Sequence, residues 1–446
     1  MENISVDTIF HAGIVGGGGA GFPTWKKLNV QVEWLLINGA ECEPLLKSDQ
    51  YIMQTQSHAL IKAAYAIAGL TGAQRSVIAL KRTYQKEFQA LEQAIHRAAA
   101  PIELFQMRPV YPAGDEQVVV REATGLTVPP GGIPLDVGCV VISVSTLLAI
   151  AEAMDGHPSI KRYVTVAGEV DSSQVFYVPV GTFVKDLITA ANTLVNRDTR
   201  IVMGGPMMGS VVPHGLENEA VITKKDGGVL VLPPTHMLIQ RAETPIAVIN
   251  RRARSVCVQC QQCTETCPRH LLGHPLQPHK IMRVIAYGGS LDDAAGALLC
   301  SECGICEIFA CPMGLSPRRV NAELKAALRE KQISPRFEMQ EMSAPVRDCR
   351  QIHAHRAAIR AGVAIYDIPV PQSVRALTPT QVSIPLRQHV GAPCEPIVRV
   401  GDFVSVGQAI GTVPEGALGA PVHASINGVV KQVGASITIT AREVEK

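Results

Sequence analysis

Eight of the twelve cysteines fall into two short runs: Cys257, Cys260, Cys263 and Cys267, then Cys300, Cys303, Cys306 and Cys311. Each run reads C-x2-C-x2-C and ends on a fourth cysteine followed at once by proline, Pro268 and Pro312. This spacing wraps a cubane iron–sulfur cluster, with three thiolates on a tight loop and a fourth ligand from a nearby turn or helix. A pair of zinc sites is the rival reading. Zinc ligands usually arrive as separated C-x2-C pairs, whereas here four cysteines crowd into about eleven residues, twice. The runs predict one-electron transfer and leave donor and acceptor open.

At 446 residues the chain is too long for one core; at about 150 residues per domain, three or four domains are expected. A net charge of +2 gives no reason to expect nucleic acid or an anionic membrane as partner. Aromatics at 4%, with two tryptophans, argue against base-stacking platforms. The start, MENISVDTIFHAG, is too polar to read as a signal peptide. The longest apolar stretch, Val137 to Ile150, is interrupted by Ser143 and Ser145 and falls short of the roughly 20 residues of a membrane span. So many cysteines without a secretion signal point to a reducing, cytoplasmic setting and to metal rather than disulfides.

Along the chain, Val32–Gly39 and Ser76–Lys81 read as buried strands, with helices expected at Ser57–Leu70, Tyr84–Ala99 and Thr146–Met154. This alternation predicts an α/β layer with a largely parallel sheet over residues 1–155. Residues 156–245 read as a small β-rich module, with alternating strands at Tyr163–Val170 and Val175–Thr182 and a glycine turn at Gly204–Gly209. Residues 246–335 hold the cysteine runs in an otherwise helical segment. Residues 336–446 read as a polar connector followed by a glycine-punctuated all-β unit.

Three further segments carry chemistry. The first is the loop Gly13 to Thr24, with Gly16, Gly18 and Gly19, where backbone can approach a phosphate or flat ring and donate N–H groups. It lies at the N-terminus, without the strand that precedes a dinucleotide loop. The second, Asn38-Gly39-Ala40-Glu41-Cys42-Glu43-Pro44, follows a strand, where ligands sit in α/β sheets. Asn38 can bond a ring edge, and Glu41 and Glu43 can bond ribityl or ribose hydroxyls. The third is Tyr111-Pro112-Ala113-Gly114-Asp115-Glu116.

Together these segments resemble the flavin-binding core shared by the NADH-oxidising flavoprotein subunit of respiratory complex I and the C subunit of the Rnf electron-transport complex. GGGGAGFPT is similar to that family's glycine loop, Lys27 stands at its phosphate-contacting lysine, and NGAECEP and YPAGDE match its acidic loops. Ser143 and Thr146 fall in its N-V-x-T-L segment; Ser143 replaces the asparagine and Ala40 an acidic residue. The resemblance implies non-covalent FMN, NADH as electron donor, and a soluble-ligand-binding β-grasp-like (SLBB) module in residues 156–245. It further implies a helical two-cluster ferredoxin-like domain holding two [4Fe-4S] clusters. In two-cluster ferredoxins the fourth cysteine of a run serves the other cluster, so Cys267 and Cys311 are candidates for exchange.

Val398–Gln408 and Pro421–Val430 look like the two halves of a barrel-sandwich hybrid of lipoyl and biotinyl carriers, with Ser425-Ile426-Asn427 at the tip in place of a modifiable lysine. In the Rnf protein this module comes first; here it comes last. That order resembles the cobalamin reductases of propanediol-utilisation microcompartments. This resemblance implies cobalamin as acceptor, a corrin adenosyltransferase and shell proteins as partners, and a place within a bacterial microcompartment. The alternative is an electron-relay and docking subunit of a multi-protein redox assembly. Outside these motifs, Cys139, Cys349 and Cys394 read as structural and Cys42 as packing. His11 reads as a turn residue, His270, His274 and His279 as solvated helix faces, and Arg251–Arg254 as a solvated patch.

Overall fold

The computed structural model describes residues 4–192, 198–333, 335–340 and 344–441. The first strands are β1 (Trp34–Asn38), β2 (Arg75–Lys81), β3 (Ile102–Met107), β4 (Val110–Tyr111) and β5 (Cys139–Ser143). Four of them form one parallel sheet in the order β3-β2-β1-β5. Their apolar runs are buried on both faces, as a parallel sheet between helices requires. Leu35 and Ile37 face the helices Ser57–Thr71, Gln85–Ala98 and Val144–Met154. Leu36 and Val77 face the helix Glu116–Thr124 across Val118, Val119 and Val120. All strands run the same way, so their carboxyl ends share one edge. There Asn38 of β1 stands level with Ala79 and with Ser143.

The next strands are β6 (Lys161–Gly168), β7 (Gln174–Pro179), β8 (Arg200–Met203), β9 (Ser210–Val211) and β10 (Gly228–Leu232). They form a mixed sheet with β6 and β10 parallel at its centre, and the helix Val184–Ala190 packs over Val164, Phe176 and Val229. The last stretch lends strands to earlier units: β11 (Ile352–His353) pairs with β4, and β12 (Arg375–Ala376) extends the mixed sheet beside β7.

The cysteine segment is built twice on one plan. The helix Ile246–Val256 enters the first run and the 3-10 turns Asp292–Leu299 enter the second; the helices Pro278–Tyr287 and Pro317–Glu330 leave them. Thr264, one residue after Cys263, bonds His279, one residue after Pro278, at 2.7 Å. At the same offsets Glu307, after Cys306, pairs with Arg318, after Pro317, at 2.8 Å.

The final unit has strands β13 (Gln381–Pro385), β14 (Glu395–Pro396), β15 (Phe403–Val404), β16 (Ala409–Thr412), β17 (Val422–His423), β18 (Gly428–Val433) and β19 (Ser436–Thr440). They make two small sheets, β13-β19-β18-β15 and β14-β16-β17, over a core of Val382, Ile384, Ile410, Val430 and Ile439. At the tip between β17 and β18, Ser425 is buried and its hydroxyl donates to the carbonyl of Val180 at 2.5 Å. No described helix is long and apolar enough to cross a membrane.

Several expectations need correction. The segment read as a polar connector contains the helices Ala344–Arg350 and Ala354–Arg360, and Ala357, Ala358, Ala361 and Val363 pack into the core beside Cys303. His355, Arg356 and Arg360 on the exposed side lower the mean hydropathy and hid the buried alanines between them. His274 is not solvated: after the turn at Gly273 it is 1% exposed and bonds the Val128 carbonyl at 2.9 Å. Cys349 is exposed and fills no core, unlike Cys139 and Cys394. His11 ends the helix Val6–His11 rather than lying in a turn.

Candidate redox centres

The glycine loop folds back at Val15, which bridges to Pro23, and lands beside the N-terminus of the helix Val144–Met154. The amide of Gly17 donates to Thr146 Oγ1 at 3.0 Å and that of Gly18 to the Lys225 carbonyl at 3.0 Å. Ser143 caps the helix by accepting from the Thr146 amide. A Cβ on Gly17 would stand 2.5 Å from Ser145 Oγ and 3.0 Å from a guanidinium nitrogen of Arg162, so the loop packs closely on both side chains there. Gly18 and Gly19 face open space. A helix N-terminus, an open glycine backbone and hydroxyl groups form a set that suits a phosphate, and the residues expected for FMN fit that group.

Arg162 was missed by motif reading. It lies on β6 in the same alternation as the buried Val164 and Val166, and that period-2 pattern was the available signal. It is 8% exposed, and its Nε donates to the Asp226 carbonyl at 3.4 Å. Burial pushes its guanidinium below the usual range, opposed by Asp49 and Asp226.

The acidic loop after β1 is held from both sides. Asn38 Nδ2 donates to the Gly114 carbonyl at 2.8 Å while its Oδ1 accepts from the Ala40 amide, tying the second and third motifs together. Lys81, buried at the end of β2, donates to the Glu41 carbonyl at 2.7 Å. Glu41 has a φ of 20°, an uncommon conformation for a side-chain residue. Burial, then the charge of Asp49, pushes the Glu41 carboxyl up to about 8; Lys81 opposes them. Asp49 is pushed up to about 6 by burial. Burial likewise lifts the Cys42 thiol to about 12, consistent with packing.

Five expected ligands have other engagements. Glu43 accepts from the amides of Met207 and Met208, at 2.8 Å each, one on each carboxylate oxygen. A Cβ on Gly205 would lie 2.3 Å from that carboxylate, so the GGPMMG turn is shaped to it. Asp115 caps the helix Glu116–Thr124 and accepts from Arg269, two residues beyond Cys267, at 2.9 Å. Lys27 and Glu116 pair with each other at 2.5 Å. Tyr111 reaches furthest: its hydroxyl donates to the Cys303 carbonyl at 2.6 Å, joining the flavin-type loop to the second cysteine run.

Both cysteine loops carry left-handed residues at matching places, Gln259 and Gln261 in the first and Glu302 and Gly304 in the second. Such residues turn successive N–H groups inward, the concavity found at iron–sulfur sites. Three of the four are not glycine, so the backbone carries strain to keep the shape. Cys300, Cys303 and Cys306 line one recess together with Cys267 from the other run. Cys267 thus lines the recess of the second run. The thiols that act on Cys263 are, in order of effect, those of Cys311, Cys260, Cys257 and Cys267. Burial and neighbouring thiols push Cys263 and Cys267 up to about 12; bound iron would hold such groups as thiolates. Among the described residues no three His, Cys, Asp or Glu side chains converge on one metal ion; a cubane instead spreads four ligands around a cage. The recess also holds Asn321, 1% exposed, with neither amide heteroatom partnered among the described residues. The donor set fits iron–sulfur clusters. Cys267, Cys300, Cys303 and Cys306 are buried and Cys257, Cys263 and Cys311 half-buried, whereas Cys260 is exposed and Val258 near it is 64% exposed.

Three family models match: a Nuo51 FMN-binding domain over residues 9–152, a 4Fe-4S dicluster domain over 256–316, and an RnfC barrel sandwich hybrid domain over 371–446. The chain is 40% identical to cobalamin reductase PduS of Citrobacter freundii across 95% of this chain and 93% of that protein. Identity and coverage are the same for cobalamin reductase PduS of Salmonella typhimurium. The C subunit of the ion-translocating oxidoreductase complex of Vibrio cholerae is 34% identical over 61% of this chain and 34% of its own length. With an FMN-binding domain, a 4Fe-4S dicluster domain and a near-full-length match, this chain belongs to the PduS cobalamin reductase family of flavin and iron–sulfur oxidoreductases.

Proposed function

We propose that this chain oxidises NADH and passes the electrons, through FMN and two [4Fe-4S] clusters, to cob(III)alamin and cob(II)alamin, recycling coenzyme B12 for propanediol degradation. When bound, the flavin supplies conversion of a two-electron donor to one-electron steps and the clusters supply one-electron carriers. The protein's part is placement. Gly16, Gly18, Gly19, Lys27, Ser143 and Thr146 would bind the flavin phosphate side, with Asn38, Glu41, Gly114 and Glu116 around the ring and sugar. Glu41 would hold a proton there at neutral pH, given a carboxyl pushed up to about 8 mainly by burial.

The single observation that carries the reading is the Tyr111–Cys303 hydrogen bond, which sets the second cysteine loop against the flavin-type loop. On this reading Cys300, Cys303, Cys306 and Cys267, all buried, would form the inner centre, next to the flavin domain. Cys257, Cys260, Cys263 and Cys311 would form the outer one, of which Cys260 is exposed. We read the first as the entry and the second as the exit. The β-rich module at 156–245 is proposed as the β-grasp-like SLBB unit, and the boundaries 1–155, 246–335 and 336–446 as the remaining domains. A corrin adenosyltransferase and microcompartment shell proteins are the proposed partners, and a microcompartment the proposed location.

The test is anaerobic mixing of FMN- and iron-loaded protein with NADH, followed by cobalamin. Flavin bleaching, loss of cluster absorbance and then formation of cob(II)alamin are expected. No bleaching at full flavin loading would overturn the NADH reading and favour an electron-relay role.

A further inference from the structure

The two cysteine repeats share their plan, and beyond the Thr264 and Glu307 pair they differ at a second buried position. Asn321 is four residues into the helix that begins at Pro317; four residues into the helix that begins at Pro278 stands Met282. Both are 1% exposed. Asn321 lines the recess of Cys267, Cys300, Cys303 and Cys306. Its amide nitrogen and oxygen are both buried and without a hydrogen-bond partner among the described residues. A buried amide left unpaired on both ends is costly, and such groups in folded proteins ordinarily have a partner. The amide stands beside Cys300, and the recess it lines is the one the four thiols share. The nearby Arg318 is already committed, to the Glu307 carboxylate at 2.8 Å and the Met207 carbonyl at 2.8 Å.

We infer that Asn321 donates its side-chain N–H to a sulfur of the inner cluster, holding that cluster's potential above the value the bare thiolate cage would give. The outer cluster has a methionine at the corresponding place; its side-chain amide donor comes instead from the loop, Gln259 Nε2 to Cys257 Sγ at 3.2 Å. Hydrogen bonds to cluster and ligand sulfurs are a recognised determinant of potential, because they stabilise the more negative, reduced form. The inference rests on the two-cluster reading above.

The measurement is a redox titration followed by EPR, on full-length protein reconstituted anaerobically. A Cys260→Ser background leaves the inner cluster as the observed signal. Asn321→Leu keeps the volume and removes the donor. Its inner-cluster potential is expected to move negative by about 59 mV, a tenfold change in a one-electron equilibrium. Asn321→Asp should move it further, since a carboxylate adds charge and offers no N–H. Asn321→Ser, which retains a donor, should sit between Leu and the parent. Equal potentials in the parent and the Leu variant, at full iron and sulfide content, overturn the inference. So does a Ser variant that matches Leu. If Leu alone fails to hold iron, the Asp and Ser variants decide. A parent chain that takes up no cluster overturns the two-cluster reading itself, and iron and sulfide content tells that failure from the other.

Discussion

At the residue scale, the chain commits its polar side chains to joints between units as much as to ligands. Glu43 was expected to bind sugar hydroxyls; instead both its oxygens receive amides from the Met207–Met208 turn. Glu43→Ala should therefore lower stability by about 1–3 kcal/mol, visible as a reduced melting temperature in protein without flavin. A loss confined to flavin-loaded protein would contradict this. His423 is a second case. It is 6% exposed, near the buried Lys224, and burial, with Lys224 adding, holds its pKa down at about 3. Unfolded, it would titrate near 6.5, so between pH 6.5 and 3 the unfolded chain binds the extra proton. Stability is thus lost as pH falls through that window, by up to about 1.4 kcal/mol per pH unit. Glu41, pushed up to about 8, acts in the opposite sense: the folded chain holds its proton and gains stability as pH falls from 8. The informative quantity is the difference between parent and His423→Asn in chemical unfolding at pH 7 and pH 5. The parent should lose more stability on acidification than the variant, and equal losses would exclude His423.

At the scale of elements, the strands and long helices were legible because their periodicity is set by burial. β1, β2 and the helices Ser57–Thr71 and Gln85–Ala98 lie within two residues of expectation. Cysteine spacing was legible for a different reason: three ligands on one tight loop leave little freedom in sequence. The spacing made Cys267 and Cys311 candidates for exchange, and Cys267 lines the recess of Cys300, Cys303 and Cys306. Arg162 and the alanine-rich helix Ala354–Arg360 were hard to see because their partners lie far away in sequence. The GGPMMG turn belongs with them: its glycines were noticed, but not that Gly205 makes room for Glu43. A Cβ there would meet the Glu43 side chain at 2.3–2.5 Å. Gly205→Ala should cost about 1–3 kcal/mol through overpacking, read by thermal unfolding, and Gly19→Ala, which faces open space, should cost far less. Equal costs would mean that the turn does not clasp Glu43.

At the scale of the whole molecule, the proposed function arranges the parts as a route. The carboxyl edge of the parallel sheet carries the flavin-type loops, Tyr111 joins that edge to the inner cysteine quartet, and the outer quartet reaches solvent at Cys260. Family membership was readable from the motifs together with the C-terminal position of the barrel-sandwich unit. The proposed direction was not, because the burial of Cys267, Cys300, Cys303 and Cys306 and the exposure of Cys260 arise only from the folded packing. Direction is tested by mixing flavin- and iron-loaded protein with NADH and freeze-quenching for EPR, comparing the parent with Cys260→Ser and Cys303→Ser. Flavin should bleach in all three. The cluster remaining in Cys260→Ser should be reduced as fast as in the parent, while the cluster remaining in Cys303→Ser should stay oxidised on that timescale. Rapid reduction of the outer cluster in Cys303→Ser, with the inner cluster of Cys260→Ser left oxidised, would reverse the order and contradict the proposed route.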